Sequence, residues 1–110
     1  EIIAYLIEER YIDNQRYANS YAKDKFRFNH WGKYKISIML RSKDIDSEII
    51  EEALEQIDDE EYLEKLQQIL KDKLRSLKYS SEYEKKGKLF KFAQSRGFES
   101  GAISKVIDSI

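Results

Sequence analysis

Apolar residues recur at three- and four-residue intervals along nearly the whole chain, which is the spacing of helices that bury one face. The clearest example is the run Ile49, Ile50, Ala53, Leu54 and Ile57. No segment alternates apolar and polar residues in the manner of a β-strand. The pattern predicts an all-α protein with seven helices, at about 1–10, 13–29, 33–43, 47–57, 59–78, 82–96 and 100–109.

Capping residues mark several of the predicted helix starts. Asp13 and either Asp46 or Ser47 precede the second and fourth helices, where a side-chain oxygen can accept a hydrogen bond from a free backbone amide. The fifth and sixth helices begin with Asp58–Glu61 and Ser81–Glu84, which have the spacing of a capping box.

Part of the chain is repeated at an offset of 53 residues. When Ile45 is aligned with Phe98, the neighbouring positions follow without a gap: Ile36 with Leu89, Met39 with Phe92, Lys43 with Arg96, Ile50 with Ile103, Ala53 with Val106 and Ile57 with Ile110. A weaker similarity joins Tyr17, Ala18 and Tyr21 to Tyr62, Leu63 and Leu66. The repeat predicts a helix-turn-helix-like unit of three helices, with units stacked into an elongated, curved array. We assign residues 1–12 to the end of a truncated first unit, 13–57 to the second and 58–110 to the third.

The same turn is predicted inside both complete units. Arg96-Gly97-Phe98 has the features of a helix ending, with a basic last turn, a Gly able to adopt a positive φ and an apolar residue that folds back. Asp44 occupies the Gly position in the second unit, and Asp tolerates the left-handed region better than most residues.

Composition narrows the possible chemistry. Charged residues make up 37% and hydrophobic residues 41% of the 110 residues, with no Pro and no Cys. Disulfides, thiolate zinc sites and Cys nucleophiles are therefore excluded, and the composition fits a reducing compartment. No apolar run reaches the roughly 18 residues of a membrane span. The chain begins at Glu1, without a Met, inside an apolar-periodic stretch. We interpret it as a fragment whose true N-terminus lies upstream.

The net charge of −1 conceals three blocks of opposite sign. Seven bases and one acid lie between residues 23 and 43, nine acids and no base between 48 and 64, and nine bases against three acids between 71 and 96. The first basic block is interspersed with aromatic residues and surrounds a predicted turn, which favours a surface that binds phosphates or an acidic protein face. Its candidate residues are Lys23, Lys25, Arg27, Trp31, Lys33, Lys35, Arg41 and Lys43. The alternative is a solvated surface with Trp31 and Phe28 in the core. For Trp31 itself the expectation is packing in the core or between helices, and for Tyr17 and Tyr21 it is core burial with a solvated hydroxyl.

The second basic block extends this hypothesis along the chain. Lys71, Arg75 and Lys78 are spaced to form one stripe on a helix, and Lys88 begins the next helix. These residues could continue a basic face from unit to unit, although charge that only confers solubility explains them as well.

The acidic block does not predict a catalytic or metal site. Glu51 and Glu55 are one helical turn apart, but no His accompanies them, and their charge density requires a solvated face. His30 is the only His and has no predicted catalytic partner. We therefore expect no enzymatic activity and no cofactor.

Three segments together resemble a known family. Residues 11–18, Tyr-Ile-Asp-Asn-Gln-Arg-Tyr-Ala, resemble a (Y/L)-(I/L)-D-D-x-R-(Y/F)-A segment. Residues 32–45, with Gly32, Ile36, Leu40 and Lys43-Asp44-Ile45, are similar to G-x-x-x-I-x-x-x-L-x-x-(K/R)-G-(I/V). Residues 89–98 are similar to L-x-x-F-L-x-x-R-G-F. In this order and spacing, the segments resemble those of RecX regulatory proteins, and the resemblance covers essentially the whole chain. Asp44 departs from the expected Gly.

The resemblance implies a fold and a partner. It implies three tandem three-helix repeats in a bacterial cytoplasmic protein, expected to be a monomer, that binds the RecA recombinase and its single-stranded DNA filament. Such proteins restrain filament growth, ATP hydrolysis and strand exchange by lying in the filament groove. The alternative hypothesis is a direct DNA-binding protein of the helix-turn-helix type, since three-helix units resemble such domains.

Overall fold

The computed structural model describes residues 2–110, and within that range the chain forms six α-helices and no strands. The helices are α1 (Ile2–Arg27), α2 (Lys33–Ser42), α3 (Ser47–Glu55), α4 (Asp59–Ser76), α5 (Glu82–Ser95) and α6 (Ser100–Ile107). The all-α prediction is confirmed. Glu1, the first residue of the predicted truncated unit, lies outside the described residues.

The first two predicted helices form the single helix α1 of 26 residues, so the prediction of seven helices is wrong by one. Asp13 lies inside α1 and caps nothing. No Gly or Pro separates the two predicted segments, and an exposed Asp inside a helix costs less than about 1 kcal/mol relative to Ala. A local capping residue is therefore too weak a signal to break a helix whose neighbours all favour helix.

The helices pack in two groups of three. In the first group α1 contacts α2 and α3, and these two contact each other; α4, α5 and α6 repeat the arrangement. The groups lie end to end in a molecule that measures 66 × 23 × 21 Å, which confirms the predicted elongated array. None of the helices in residues 2–110 combines the length and the apolar character that a membrane crossing requires.

One continuous apolar core runs through both groups. Ala18 and Ala22 are fully buried in α1, and their small side chains allow α3 to approach closely. The second group has larger side chains at the corresponding face of α4, where Leu66 and Leu70 are fully buried. Tyr17 is 46% exposed while Tyr62 is buried, so the weak sequence similarity between these two tyrosines does not extend to their environment.

The turn between the second and third helices of each group has the predicted conformation. Asp44 has a φ of 63° and Gly97 a φ of 92°, both in the left-handed region. The next residues, Ile45 and Phe98, are buried, and their amides donate to the carbonyls of Leu40 and Ala93 at 3.3 and 3.1 Å. This pattern is a Schellman motif, and it is present at equivalent positions of the repeat.

Two of the predicted caps form as expected. Asp58 accepts a hydrogen bond from the Glu61 amide at 3.0 Å, and Ser81 accepts one from the Glu84 amide at 3.1 Å. Asp46 occupies the N-cap position of α3 without a side-chain hydrogen bond. The helix α4 ends at Ser76, before the predicted residue 78.

Candidate partner-binding surface

Three aromatic rings form a row on the first helical group. Tyr17 and Tyr21 are one turn apart on α1, with ring centroids 5.8 Å apart, and Trp31 lies 6.4 Å from Tyr21 in an edge-on arrangement. Trp31 reaches this position from the loop that follows α1, where its amide donates to the carbonyl of Lys25 at 3.1 Å. His30 supplies the necessary change of direction with a φ of 58°.

Three lysine ammonium groups lie over these rings. The Lys25 Nζ atom is 5.1 Å from the Trp31 ring centroid and 5.4 Å from that of Tyr21. The Lys35 Nζ atom is 4.7 Å from Trp31, and the Lys43 Nζ atom is 5.7 Å from Tyr21. Cation–π contacts hold ammonium groups in place without neutralising them. We call this surface the aromatic–lysine face: Tyr17, Tyr21, Lys25, Trp31, Lys35 and Lys43.

The charge of the aromatic–lysine face is uncompensated. Among residues 2–110 no carboxylate lies within 4.0 Å of the ammonium groups of Lys25, Lys35 or Lys43. Partial burial raises the pKa of Tyr21, an effect that the nearby Lys43 opposes, so the phenol stays neutral at physiological pH. The face therefore presents three positive charges next to uncharged aromatic rings.

The aromatic residues depart from the expected core positions to different extents. Trp31 is half-buried and packs against the core, as expected for packing between helices. Phe28 is 76% exposed, and the alternative that placed it in the core is wrong. The expectation of core burial is also wrong for Tyr17, whereas Tyr21 is half-buried.

Two predicted binding residues instead contact acids across the boundary between the helical groups. Arg27 lies 3.3 Å from Glu61, and Lys33 lies 3.7 Å from Asp59 with its ammonium 4.8 Å from the Tyr62 ring centroid. The nine-acid block therefore faces part of the first basic block within the molecule. These two cations are less available to a partner than the lysines of the aromatic–lysine face.

The remaining predicted residues have diverse surroundings. Lys23 is half-buried, and Arg41, Lys71 and Lys78 are exposed. Arg75 lies 3.7 Å from Asp72 on the same helix, an exposed pair of little energetic weight. Lys78 follows the end of α4, so the predicted stripe of three bases on one helix is reduced to Lys71 and Arg75.

Lys88 lies on α5 and contacts the connection that precedes this helix. Its ammonium donates to the carbonyl of Lys78 at 2.7 Å and lies 2.9 Å from the Glu84 carboxylate. Hydrogen bonds from Ser80 and Lys88 lower the pKa of Glu84 to about 2. The contacts of Lys88 are those of a residue that fixes the start of a helix.

The two helical groups meet at a closely packed backbone contact, which we call the joint. The Gly32 amide donates to the carbonyl of Arg96 at 2.7 Å, and the Tyr34 amide donates to that of Gly97 at 3.0 Å. A Cβ atom on Gly32 would lie 2.3 Å from the Gly97 carbonyl carbon, and one on Gly97 would lie 2.2 Å from the Lys35 Cβ. Only residues without a side chain fit at these two positions.

A buried tyrosine completes the joint. The Tyr62 ring lies between Phe26 and Phe98, at centroid distances of 5.5 and 5.2 Å. Its hydroxyl accepts a hydrogen bond from the Lys33 amide at 2.9 Å and donates one to Glu99. Burial, reinforced by Glu99, raises the pKa of Tyr62, so the hydroxyl keeps its proton. The Gly32 and Gly97 contacts and this tyrosine together fix one group against the other.

Sequence reasoning missed several functional candidates. The i, i+4 spacing of Tyr17, Tyr21 and Lys25 could have identified the aromatic–lysine face. Lys73 and Arg96 lie over the Phe92 ring, 5.0 and 5.3 Å from its centroid, and were not predicted as binding residues. Arg96 aligns with Lys43 in the repeat, so its equivalent position was available as a signal.

The acidic residues do not form a metal site. Glu51, Glu52 and Glu55 are exposed, and within residues 2–110 no group of three or more His, Cys, Asp or Glu could hold a metal ion.

The fold and its surfaces define a protein of tandem three-helix repeats with an aromatic, positively charged face.

Comparison with family models identifies these repeats. Residues 13–54 match the second three-helix domain of RecX, and residues 59–107 match its third three-helix domain. The chain belongs to the RecX family.

Individual relatives agree with this assignment. The regulatory protein RecX of Oceanobacillus iheyensis is 30% identical over 110 residues, which is all of this chain and 40% of that protein. RecX of Clostridium botulinum strain Eklund 17B is 33% identical over 107 residues, 96% of this chain and 50% of that protein. The chain thus spans about half the length of these relatives. The crystal structure of RecX from Lactobacillus salivarius has a TM-score of 0.84 and 28% identity, covering 99% of this chain and 71% of that chain.

Proposed function

We propose that this chain binds the RecA recombinase on its single-stranded DNA filament and restrains filament growth, ATP hydrolysis and strand exchange. It acts by binding alone, as a monomer in the bacterial cytoplasm, and uses no catalytic residue or cofactor. The single observation that carries the proposal is the aromatic–lysine face, with three uncompensated ammonium groups, on a fold of the RecX family.

The shape and charge of the molecule support this function. A length of 66 Å and a width near 22 Å suit a groove that runs along a filament. Clustered lysines attract phosphates and acidic protein surfaces and accelerate association. A partly buried Trp and Tyr between these lysines supply the rigid apolar anchors that dominate the free energy of many interfaces.

The proposed surface centres on the aromatic–lysine face and extends along the molecule. Lys23, Arg41, Lys71, Arg75 and Lys78 provide further positive charge around it. Arg27, Lys33 and Lys88 contribute mainly through the fold, because each already lies near a carboxylate.

Charge reversal on the aromatic–lysine face tests the proposal. The triple variant Lys25→Glu, Lys35→Glu, Lys43→Glu in the full-length protein removes every cation of the face, and we expect at least a tenfold loss of inhibition. The measurement is the concentration of protein that halves RecA ATP hydrolysis on single-stranded DNA. A matched control, Arg10→Glu, Lys91→Glu, Lys105→Glu, changes the net charge equally at exposed positions outside the proposed surface.

The control distinguishes an effect of the aromatic–lysine face from an effect of net charge alone. Equal losses in the two triple variants would show that net charge, not this face, determines inhibition. If the unaltered full-length protein leaves RecA ATP hydrolysis unchanged, the regulatory function is wrong. Far-ultraviolet circular dichroism of both variants verifies that the helices remain folded.

Direct DNA binding is the second candidate, favoured by Tyr17, which is 46% exposed in the row of rings beside the lysines. Aromatic rings next to basic side chains stack with unpaired bases, and three-helix units also present helices to duplex grooves. Trp31 is the only tryptophan, so its fluorescence reports binding at this face without a label. Quenching by DNA in the absence of RecA, with tight and sequence-dependent binding of duplex, would favour direct DNA recognition over filament binding.

A further inference from the structure

A concave pocket of about 350 Å³ lies beside the joint and shares no residue with the aromatic–lysine face, although its His30 directly precedes Trp31. Its walls come from three parts of the chain: His30 in the loop after α1, Lys65 and Lys73 on α4, and Phe92 and Arg96 at the end of α5. We call it the cationic pocket. Most of the lining comes from the second helical group, and His30 is the contribution of the first.

The pocket has a strong excess of positive charge. Lys65, Lys73 and Arg96 are basic residues, and within residues 2–110 none of them has a carboxylate within 4.0 Å. The single acid in the lining is Asp72, which accepts a hydrogen bond from Gln68 at 3.0 Å and lies 3.7 Å from Arg75. That carboxylate is thus satisfied by other groups.

Contacts with the fold restrict the three cations, although the Arg96 side chain is exposed. Lys65 and Lys73 are half-buried. The Lys73 ammonium and the Arg96 guanidinium lie 5.0 and 5.3 Å from the Phe92 ring centroid. The backbone of Arg96 is fixed because its carbonyl accepts the Gly32 amide in the joint. A cluster of fixed, unneutralised cations in a concavity is complementary to a polyvalent anion.

The remaining lining determines what kind of anion fits. Ile69 and Phe92 give the pocket an apolar wall next to its cations. A volume of 350 Å³ lies at the small end of ligand pockets, which range from about 300 to 1,000 Å³. A bare phosphate would leave the apolar wall uncovered, whereas a nucleotide has both an anionic group and a flat apolar base.

We propose that the cationic pocket binds one nucleotide unit. The phosphate lies among Lys65, Lys73 and Arg96, and the base packs against Ile69 and Phe92. Two sources can supply the same chemistry: a free mononucleotide, or one residue of a single-stranded nucleic acid. The inference goes beyond the proposed inhibition of RecA and does not depend on the aromatic–lysine face.

The test compares ligands and variants in the full-length protein. Binding of thymidine monophosphate, of a short oligothymidylate and of inorganic phosphate is followed by calorimetry, and by the NMR signals of the Phe92 ring. The double variant Lys73→Gln, Arg96→Gln should weaken nucleotide binding at least tenfold. Lys65→Gln, at an ammonium with no ion pair among residues 2–110, should weaken it severalfold. Lys71→Gln with Lys91→Gln, on the same helices but outside the pocket, is the matched control.

Each outcome bears on the proposal. Binding of the mononucleotide with displaced Phe92 signals supports a site for a free nucleotide, and binding of the oligothymidylate alone supports a site for a strand. Binding of neither ligand overturns the proposal, as does an equal effect of the control variant. Inorganic phosphate that binds as tightly as the nucleotide would overturn the contact between base and apolar wall.

Discussion

Lys25 and Lys88 carry the same charge, but their surroundings give them different roles. The Lys25 ammonium faces two aromatic rings, and no carboxylate of residues 2–110 lies within 4.0 Å of it, so its charge remains available to a partner. The Lys88 ammonium contacts a carboxylate and a backbone carbonyl, and both contacts hold the connection between α4 and α5. The sequence pattern grouped both residues on one basic surface, although the i, i+4 spacing of Glu84 and Lys88 already allowed the ion pair. The contact with the Lys78 carbonyl depends on the path of the preceding loop.

The Glu84 carboxylate connects that loop to α5, and its replacement has a predictable dependence on pH. Its pKa is lowered from 4.5 to about 2, chiefly by the hydrogen bond from Ser80 and then by Lys88. A carboxyl group with a lowered pKa stabilises the folded state fully above about pH 4.5, and this contribution disappears as the pH falls towards 2.

Glu84→Gln should therefore lower Tm by a few degrees at neutral pH, since the group is exposed and screened by water. The difference in Tm between the variant and the original protein should shrink between pH 4.5 and 2. Thermal unfolding followed by circular dichroism across this range measures it. Glu64→Gln, in an exposed position on α4, serves as the control. A deficit that is constant across the range would show that the carboxylate charge has no role.

At the scale of the helices, the turn at Asp44 offers a test of the repeat register. Asp44 adopts a φ of 63° where the equivalent residue of the other unit is Gly97. Glycine adopts this conformation without the steric penalty that a Cβ imposes, although it loses more entropy on folding.

We expect Asp44→Gly to increase the free energy of unfolding by up to about 1 kcal/mol. Asp46→Gly is the matched control, because Asp46 has an ordinary φ of −63° and the same substitution there should destabilise the protein. Urea denaturation of both variants measures the difference. Destabilisation of the same size at both positions would mean that the left-handed conformation at residue 44 costs the protein nothing.

The apolar periodicity predicted most of the helices, and the residues around Asp44 and Gly97 predicted the left-handed turns. Both kinds of structure depend on local sequence. The helix start predicted at Asp13 was wrong, because a potential capping residue does not end a helix where the chain on both sides favours helix. The pairing of Arg27 with Glu61 and of Lys33 with Asp59 was not predictable, since it depends on how one group of helices sits on the next. The sequence therefore predicted a basic, aromatic segment. Which of its residues are free to bind a partner and which pair within the fold became clear only from the packing of the helices.

At the scale of the whole molecule, the joint determines how the two helical groups are oriented. Gly32 has a φ of −78°, which any residue adopts, so its requirement for glycine comes only from the 2.3 Å approach of the Gly97 backbone to a Cβ. A substitution at this position consequently tests packing at the joint without backbone strain.

Gly32→Ala should separate the groups at the joint and cost about 1–3 kcal/mol, the usual penalty for overpacking. We expect the radius of gyration in small-angle X-ray scattering to rise while helix content in circular dichroism is unchanged. Gly87→Ala is the matched control, since a Cβ on Gly87 meets no atom within 4 Å and Ala favours the helix. Unaltered scattering and stability in Gly32→Ala would contradict the role assigned to the joint.

The Gly32–Gly97 contact also fixes the distance between two surfaces of the molecule. The aromatic–lysine face lies on the first group and the cationic pocket beside the joint, so their separation is set by a backbone contact that leaves no slack. A partner can bind the aromatic–lysine face and the cationic pocket at once only if its own two binding positions are the same distance apart. The gain in avidity depends on this match, because the rigid connection between the two surfaces cannot adjust to another spacing. For the proposed filament partner, stretching or compressing the filament would then change its affinity for this chain without altering any residue at the interface.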